Sequence, residues 1–168
     1  MLTTYSGRAY RQTGVDTPAF PPDRPAVGEG RYHRPGEPWP LYASLEPATV
    51  WAEWAAATRG AIDPREERRR LWTLRADGLR VIDLRRPEVR EALGVQLETL
   101  VGPREAAQRL GARARSLGAD ALIAPSAADP DAWNLVVWPQ AFDRVRAGRP
   151  RTTHPEPPVG PVSPAGAG

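Results

Sequence analysis

Apolar positions fall in short clusters separated by proline- and glycine-rich turns, and their spacing changes along the chain. Leu41-Tyr-Ala-Ser44, Ala121–Ala124 and Leu135–Trp138 are compact apolar runs of strand length, and Arg8–Arg11 reads as an opening strand. From Pro47 to about Thr58 the spacing becomes helical: Val50, Trp54 and Ala57 share one face, with Trp51 and Ala55 beside it. Pro47 suits the first helical position, where its missing N–H costs nothing. Pro87 opens a short helix to about Leu93 in the same way. A longer helix follows Pro103, with Ala106, Leu110, Ala114 and Leu117 at helical spacing and Gly118 as its stop. Leu71–Leu74 and Leu79–Leu84 read as two strands joined by Asp77-Gly78, a dipeptide that favours a tight hairpin turn.

The order strand, helix, hairpin, helix, strand, strand predicts an α+β fold, with short strands and flanking helices. A length of 168 residues fits a single compact domain. Residues 14–27 hold four prolines and are expected to be a loop without regular structure. The domain is expected over residues 1–148. Residues 149–168, rich in Pro, Gly, Ala, Thr and Val without apolar periodicity, are expected to form a disordered, flexible tail.

Composition removes several chemistries. All 23 basic residues are Arg, so a Schiff-base lysine and a P-loop are excluded. With no Cys there is no disulfide, zinc-thiolate site, iron–sulfur cluster or catalytic thiol. The two His cannot make a three-His metal site, and no metal is expected. There is no run of about eighteen apolar residues to cross a membrane. The N-terminal residues lack the basic-then-apolar order of a secretory signal, so a cytoplasmic location is the expectation. Net charge is +3, and Arg alternates with Asp and Glu instead of forming one block. No direct nucleic-acid contact is expected from this pattern. An Arg-rich nucleic-acid-binding module is the non-enzymatic alternative.

The segment from Gly28 to Ser44 is the densest in candidate chemistry. It sets Arg31, Tyr32 and Tyr42 among glycines and prolines. Arg31 follows Gly30, so a guanidinium able to grip a phosphate with two hydrogen bonds sits where the backbone can come close; a solvated or salt-bridged turn residue is the plainer reading. Glu53 lies one turn inside the Pro47 helix between Trp51 and Trp54, bordering an aromatic wall that can partly desolvate it. Pairing with Arg59 or Arg65 on the helix surface is the plainer reading. Ser126 follows one apolar run, and Asn134, the single Asn of the chain, precedes the next. They can line a pocket or act as turn and cap residues. Trp39, between two prolines, is a candidate lid. No Gly-x-Ser-x-Gly elbow occurs, and neither His has the setting of a triad base.

The run Gly30-Arg-Tyr-His-Arg-Pro-Gly-Glu-Pro-Trp-Pro-Leu-Tyr-Ala-Ser-Leu-Glu-Pro-Ala-Thr-Val-Trp-Ala-Glu53 resembles the core signature of the RES domain family. Val81–Gly94 resembles the middle segment of that family. Gly118-Ala-Asp-Ala-Leu-Ile-Ala-Pro-Ser126 and Asn134-Leu-Val-Val-Trp138 resemble its closing strands. Tyr32 and His33 stand where the family often has Trp and Asn.

The resemblance implies a fold similar to that of ADP-ribosyltransferases. It further implies a toxin of a toxin–antitoxin pair, partnered by an Xre-type helix-turn-helix antitoxin. The implied substrate is NAD+, cleaved at the nicotinamide–ribose bond by hydrolysis or, with inorganic phosphate as co-substrate, by phosphorolysis. Transfer of ADP-ribose to a cellular protein is the alternative. The family's eponymous Arg, Glu and Ser map to Arg31, Glu53 and Ser126, the implied catalytic residues. Arg31 is expected to hold the pyrophosphate, Tyr42 to stack on the nicotinamide ring, and Tyr32, Arg11, Ser126 and Asn134 to supply further contacts to NAD+.

Overall fold

The computed structural model of the chain describes residues 1–156. Seven strands form one sheet: β1 (Leu2–Gly14), β2 (Leu41–Ser44), β3 (Arg69–Asp83), β4 (Ala121–Pro125), β5 (Trp133–Val137), β6 (Val145–Ala147) and β7 (Arg151–Thr153). The helices are α1 (Pro47–Thr58), α2 (Pro87–Leu93), α3 (Leu97–Val101) and α4 (Arg104–Ser116), and a 3₁₀ segment spans Pro139–Arg144. The strands run in the order β1-β2-β5-β4-β3-β6, with β7 also on β3. Because β1 pairs with β3 as well as β2, five strands close into a ring. All pairings are antiparallel except β3 with β4. The result is a mixed α/β domain with a barrel-like sheet.

The closed ring explains the continuous apolar runs. Ala121 and Ile123 of β4 join the core inside the ring with Leu41, Leu74, Leu79, Leu135 and Val137. Their neighbours Leu122 and Ala124 face the other way and pack under Val89, Leu93, Leu100, Leu110 and Ala114 of the helices. A strand buried on both faces has no polar side, so it does not alternate. α1 covers a third cluster, in which Val50, Trp51 and Trp54 meet Leu71 and Tyr10.

The expected hairpin at Asp77-Gly78 does not form; β3 runs straight through it. β1 pairs along both halves of β3, with Tyr5 opposite Leu79 and Gly7 opposite Ala76. Three steps on β3 therefore face two on β1, a bulge that absorbs the left-handed Gly78 (φ 63°). The Ser6 hydroxyl closes the bulge, accepting from Gly78 N–H at 2.9 Å and donating to Asp77 Oδ1 at 3.2 Å. The same dipeptide that favours a tight turn also favours a bulge, and the 13-residue β1 decides between them. β1 is itself much longer than the expected Arg8–Arg11 segment. The C-terminal expectation is corrected in part: Arg151–Thr153 pair with Arg69–Leu71 as β7, because the long β3 offers them a free edge. Residues 157–168 of the expected tail lie outside the described residues.

Candidate active site

A cavity of about 560 Å³ opens between α1, β1, β2, the turn around Arg31 and the start of α4. α1 presents Val50, Glu53 and Ala57 to it, one stripe at helical spacing, while Trp51 and Trp54 anchor the helix in the core. Strand register then assembles what meets Glu53. Asn134 of β5 lies between Ser44 of β2 and Ala124 of β4. The Ser44 hydroxyl donates to Asn134 Oδ1 at 2.8 Å, which leaves the Asn134 amide N–H to donate to Glu53 Oε1 at 2.7 Å. Ser126, just past β4, donates from its hydroxyl to the same Oε1 at 2.6 Å.

The Ser126 hydroxyl is fully used. It accepts from the backbone N–H groups of Ala128 (3.2 Å) and Asp129 (3.1 Å), so its single hydrogen is committed to the carboxylate. Short hydrogen bonds to an ionised acceptor are the strong kind, and two of them on Oε1 lock the Glu53 rotamer.

The cavity is otherwise basic in its charged residues. Arg11, Arg31 and Arg104 line it, and Glu53 is the one acid among the described lining residues. Arg31 donates from one terminal nitrogen to the carbonyls of Leu100 and Gly102, each at 2.9 Å, tying its turn to the end of α3. Arg11 donates to the Tyr42 carbonyl at 2.9 Å. Burial pushes Arg11 down to about 10, so it stays cationic at neutral pH. Two buried donors at the cavity have no partner among the described residues, Arg11 Nε and the Tyr32 hydroxyl.

The Arg31 turn is held by α4. Gln108 Nε2 donates to Glu29 Oε2, the Gly30 carbonyl and the His33 carbonyl at 3.2, 3.1 and 3.4 Å, and Arg104 pairs with Glu29 at 3.0 Å. One turn on, Gly111 lies so close to the Tyr32 carbonyl that a Cβ there would collide with it. Gly30 is equally confined: a Cβ would meet the His33 ring and, at 2.7 Å, the Tyr42 hydroxyl. That hydroxyl accepts from Tyr32 N–H at 2.9 Å and shares a 2.9 Å hydrogen bond with His33 Nδ1.

The profile of the RES domain matches residues 8–157 of this sequence. The chain belongs to the RES domain family. This RES domain is 34% identical over 155 residues to a protein of Mycobacterium tuberculosis named as a probable NAD(+) phosphorylase, covering 92% of this chain and 75% of that one. Its fold is similar to a chain in the crystal structure of the M. tuberculosis MbcT–MbcA toxin–antitoxin complex. The TM-score is 0.78 with 23% sequence identity, over 92% of this chain and 87% of that chain.

Within this RES domain the residues singled out from the sequence largely converge. Glu53, Arg31, Arg11, Tyr42, Tyr32 and Asn134 all border the cavity. Ser126 does not: it is 0% exposed and reaches the site through Glu53. Tyr32 is only 2% exposed, with its ring in the core beneath α4. Tyr42 borders the cavity with its hydroxyl tied to Tyr32 N–H and His33 Nδ1. Burial raises the pKa of both phenols, so both are neutral at physiological pH. Glu53 pairs with neither Arg59 nor Arg65; Arg65 bonds Asp63. Trp39 is absent from the described lining residues. The sequence reading missed Ser44, Arg104 and Gln108. Arg104 and Gln108 share a helix face with Gly111, a spacing visible in the sequence but without anything in it to say which face meets the turn. Among the described residues there is no group of His, Cys, Asp or Glu arranged to hold a metal, and no helix is long and apolar enough to cross a membrane.

Proposed function

We propose that this RES domain consumes NAD+ by cleaving its nicotinamide–ribose bond and acts as the toxin of a toxin–antitoxin pair. The observation that carries the reading is the Glu53 carboxylate, fixed by Ser126 and Asn134 in a cavity whose other charged lining residues are Arg11, Arg31 and Arg104. A dinucleotide with a pyrophosphate at its centre and a cationic nicotinamide ribose at one end matches that division of charge.

Breaking the glycosidic bond sends its electron pair to the nicotinamide ring, which leaves neutral, while positive charge develops on the ribose. Glu53 stabilises that charge. Its Oε1 is occupied by Ser126 and Asn134, so Oε2 is the oxygen available to the sugar. The arginines bind the pyrophosphate, and the Tyr42 ring packs against the nicotinamide. Ser126 and Asn134 are positioning residues in this scheme, and the chemistry needs no metal. Phosphate oxygen attacking the ribose carbon yields ADP-ribose 1″-phosphate, whereas water yields ADP-ribose and a proton. The name of the M. tuberculosis relative favours phosphate as the acceptor. The toxin–antitoxin complex of similar fold supports a protein antitoxin; its Xre helix-turn-helix type and the likeness to ADP-ribosyltransferases are what the family resemblance implies. NAD+ is abundant in the cytoplasm, where such a toxin acts.

The test is nicotinamide release from NAD+ by purified protein, with and without inorganic phosphate, beside Glu53→Ala. Release by wild type and not by the variant supports the reading, and phosphate dependence identifies phosphorolysis. Release only on adding a cell lysate, with label transferred to protein, replaces it with ADP-ribosylation.

A further inference from the structure

Arg8, Arg75 and Arg146 occupy opposed positions on three adjacent strands, Arg8 of β1 facing Arg75 of β3 and Arg75 facing Arg146 of β6. Register partners share a sheet face and neighbouring strands lie about 4.8 Å apart, so three guanidinium side chains leave one face in a row about 10 Å long. All three are exposed, and none takes part in a salt bridge among the described residues. Like charges directly opposed across strands destabilise a sheet. Of the other arginines of β3 and its surroundings, Arg70 also has no acidic partner among the described residues, but Arg69 is compensated by Glu67, Arg80 and Arg144 by Asp120, and Arg85 by Asp83.

The row lies in a cleft of about 630 Å³ that shares no lining residue with the Glu53 cavity. A concavity of this size suits a small ligand. Its described lining residues include no aromatic ring on which a base could stack. Asp77 and Asp143 line the same cleft and oppose a long polyanion extending beyond the row. A compact group with several negative charges fits best, and phosphate oxygens match the planar guanidinium fork.

We propose that this cleft binds the di- or triphosphate group of a small polyphosphorylated ligand, at a site separate from the Glu53 cavity. The group can come from an inorganic polyphosphate ion or from a nucleotide. Calorimetry with tripolyphosphate and with ATP, at low ionic strength, on wild type, Arg75→Gln and Arg31→Gln tests it. Arg75→Gln is expected to weaken tripolyphosphate about tenfold or more, and Arg31→Gln to leave it within about twofold. Equal affinity for ATP assigns recognition to the phosphates alone; tighter ATP binding that is also lost in Arg75→Gln assigns the nucleotide as the source. The Tm of ligand-free Arg75→Gln should equal or exceed that of wild type, since a like-charged neighbour is gone. If it falls instead, Arg146→Gln, on the edge strand β6, is the deciding variant. No binding, loss of binding in Arg31→Gln alone, or preferential binding of a single-stranded oligonucleotide or an oligo-glutamate peptide overturns the proposal.

Discussion

Ser126 Oγ donates a 2.6 Å hydrogen bond to Glu53 Oε1 across 73 positions of sequence. The same hydroxyl receives the N–H groups of Ala128 and Asp129, so one small side chain orders both the carboxylate and the loop beyond β4. Asn134 reaches Glu53 from the next strand, itself aimed by Ser44. This chain of bonds turns an ordinary helix-surface glutamate into a fixed group at the edge of a basic cavity.

Glu53→Ala is expected to reduce nicotinamide release by about two orders of magnitude or more, the scale of losing one preorganised electrostatic group. Circular dichroism should be unchanged, because the helix is anchored by Trp51 and Trp54 and not by the carboxylate. Full residual activity in a folded variant would remove Glu53 from the reaction.

Ser126→Ala leaves two half-buried backbone N–H groups without their acceptor, at a cost of about 1 kcal/mol. Thermal unfolding should show the loss. Because the carboxylate remains but is held by Asn134 alone, kcat should fall while KM for NAD+ changes little. A variant with wild-type Tm and kcat contradicts the positioning role.

Arg31→Ala removes both a cationic wall of the cavity and the tie to Leu100 and Gly102. KM for NAD+ should rise clearly more than kcat falls. Arg31→Lys keeps the charge but not the planar fork and should recover only part of the binding. An unaltered KM in Arg31→Ala would dissociate this residue from the pyrophosphate.

Gly111→Ala places a methyl group against the Tyr32 carbonyl, so α4 must move away from the turn that carries Arg31. Overpacking of this kind costs about 1–3 kcal/mol, and differential scanning calorimetry should register the lower Tm. Ala at Gly28, which has open space around its Cβ position, is the control and should leave Tm unchanged.

Stability should fall in two steps on acidification. Burial lowers the pKa of His33 below its ordinary 6.5, so the fold favours the neutral ring. That contribution is complete above about 6.5 and is lost as pH falls through the lower folded value. Asp120 is pushed up by burial, but the hydrogen bonds and charge of Arg80, with Arg144 behind, outweigh this and bring it below 3.8. Its contribution is present above 3.8 and is lost as pH falls further. Tm measured from pH 8 to pH 3 should show both declines, with the upper one absent in His33→Gln and the lower one reduced in Asp120→Asn.

Local elements were legible where a few neighbouring residues decide them. Pro47 and the Val50, Trp54 and Ala57 spacing predict α1 from near Pro47 to about Thr58, where it lies, and Leu41–Ser44 is the strand it reads as. The helix Leu97–Val101 was missed, because five residues hold barely one turn and no period can emerge. Asp77-Gly78 misled for a different reason: its local chemistry is the same in a turn and in a bulge, and the deciding partner, Ser6, lies 71 residues away. Within the site, Arg31, Glu53, Ser126 and Asn134 stood out by residue type and by family resemblance. Ser44, Arg104 and Gln108 did not, since nothing local marks a common serine or a surface-type helix residue as a contact of the site.

The sequence by itself therefore determined the types and most positions of the short elements, the absence of thiol and lysine chemistry, and the family to which the chain belongs. These depend on steric preferences and side-chain inventory, which act over a few residues. Tertiary structure alone decided the closure of β1 onto β3, the use of the Ser126 hydrogen on Glu53, the burial of Tyr32 and the alignment of Arg8, Arg75 and Arg146. Each of these depends on strand order and register, and register is set by how whole elements bury their apolar faces against one another, a balance that no local stretch contains.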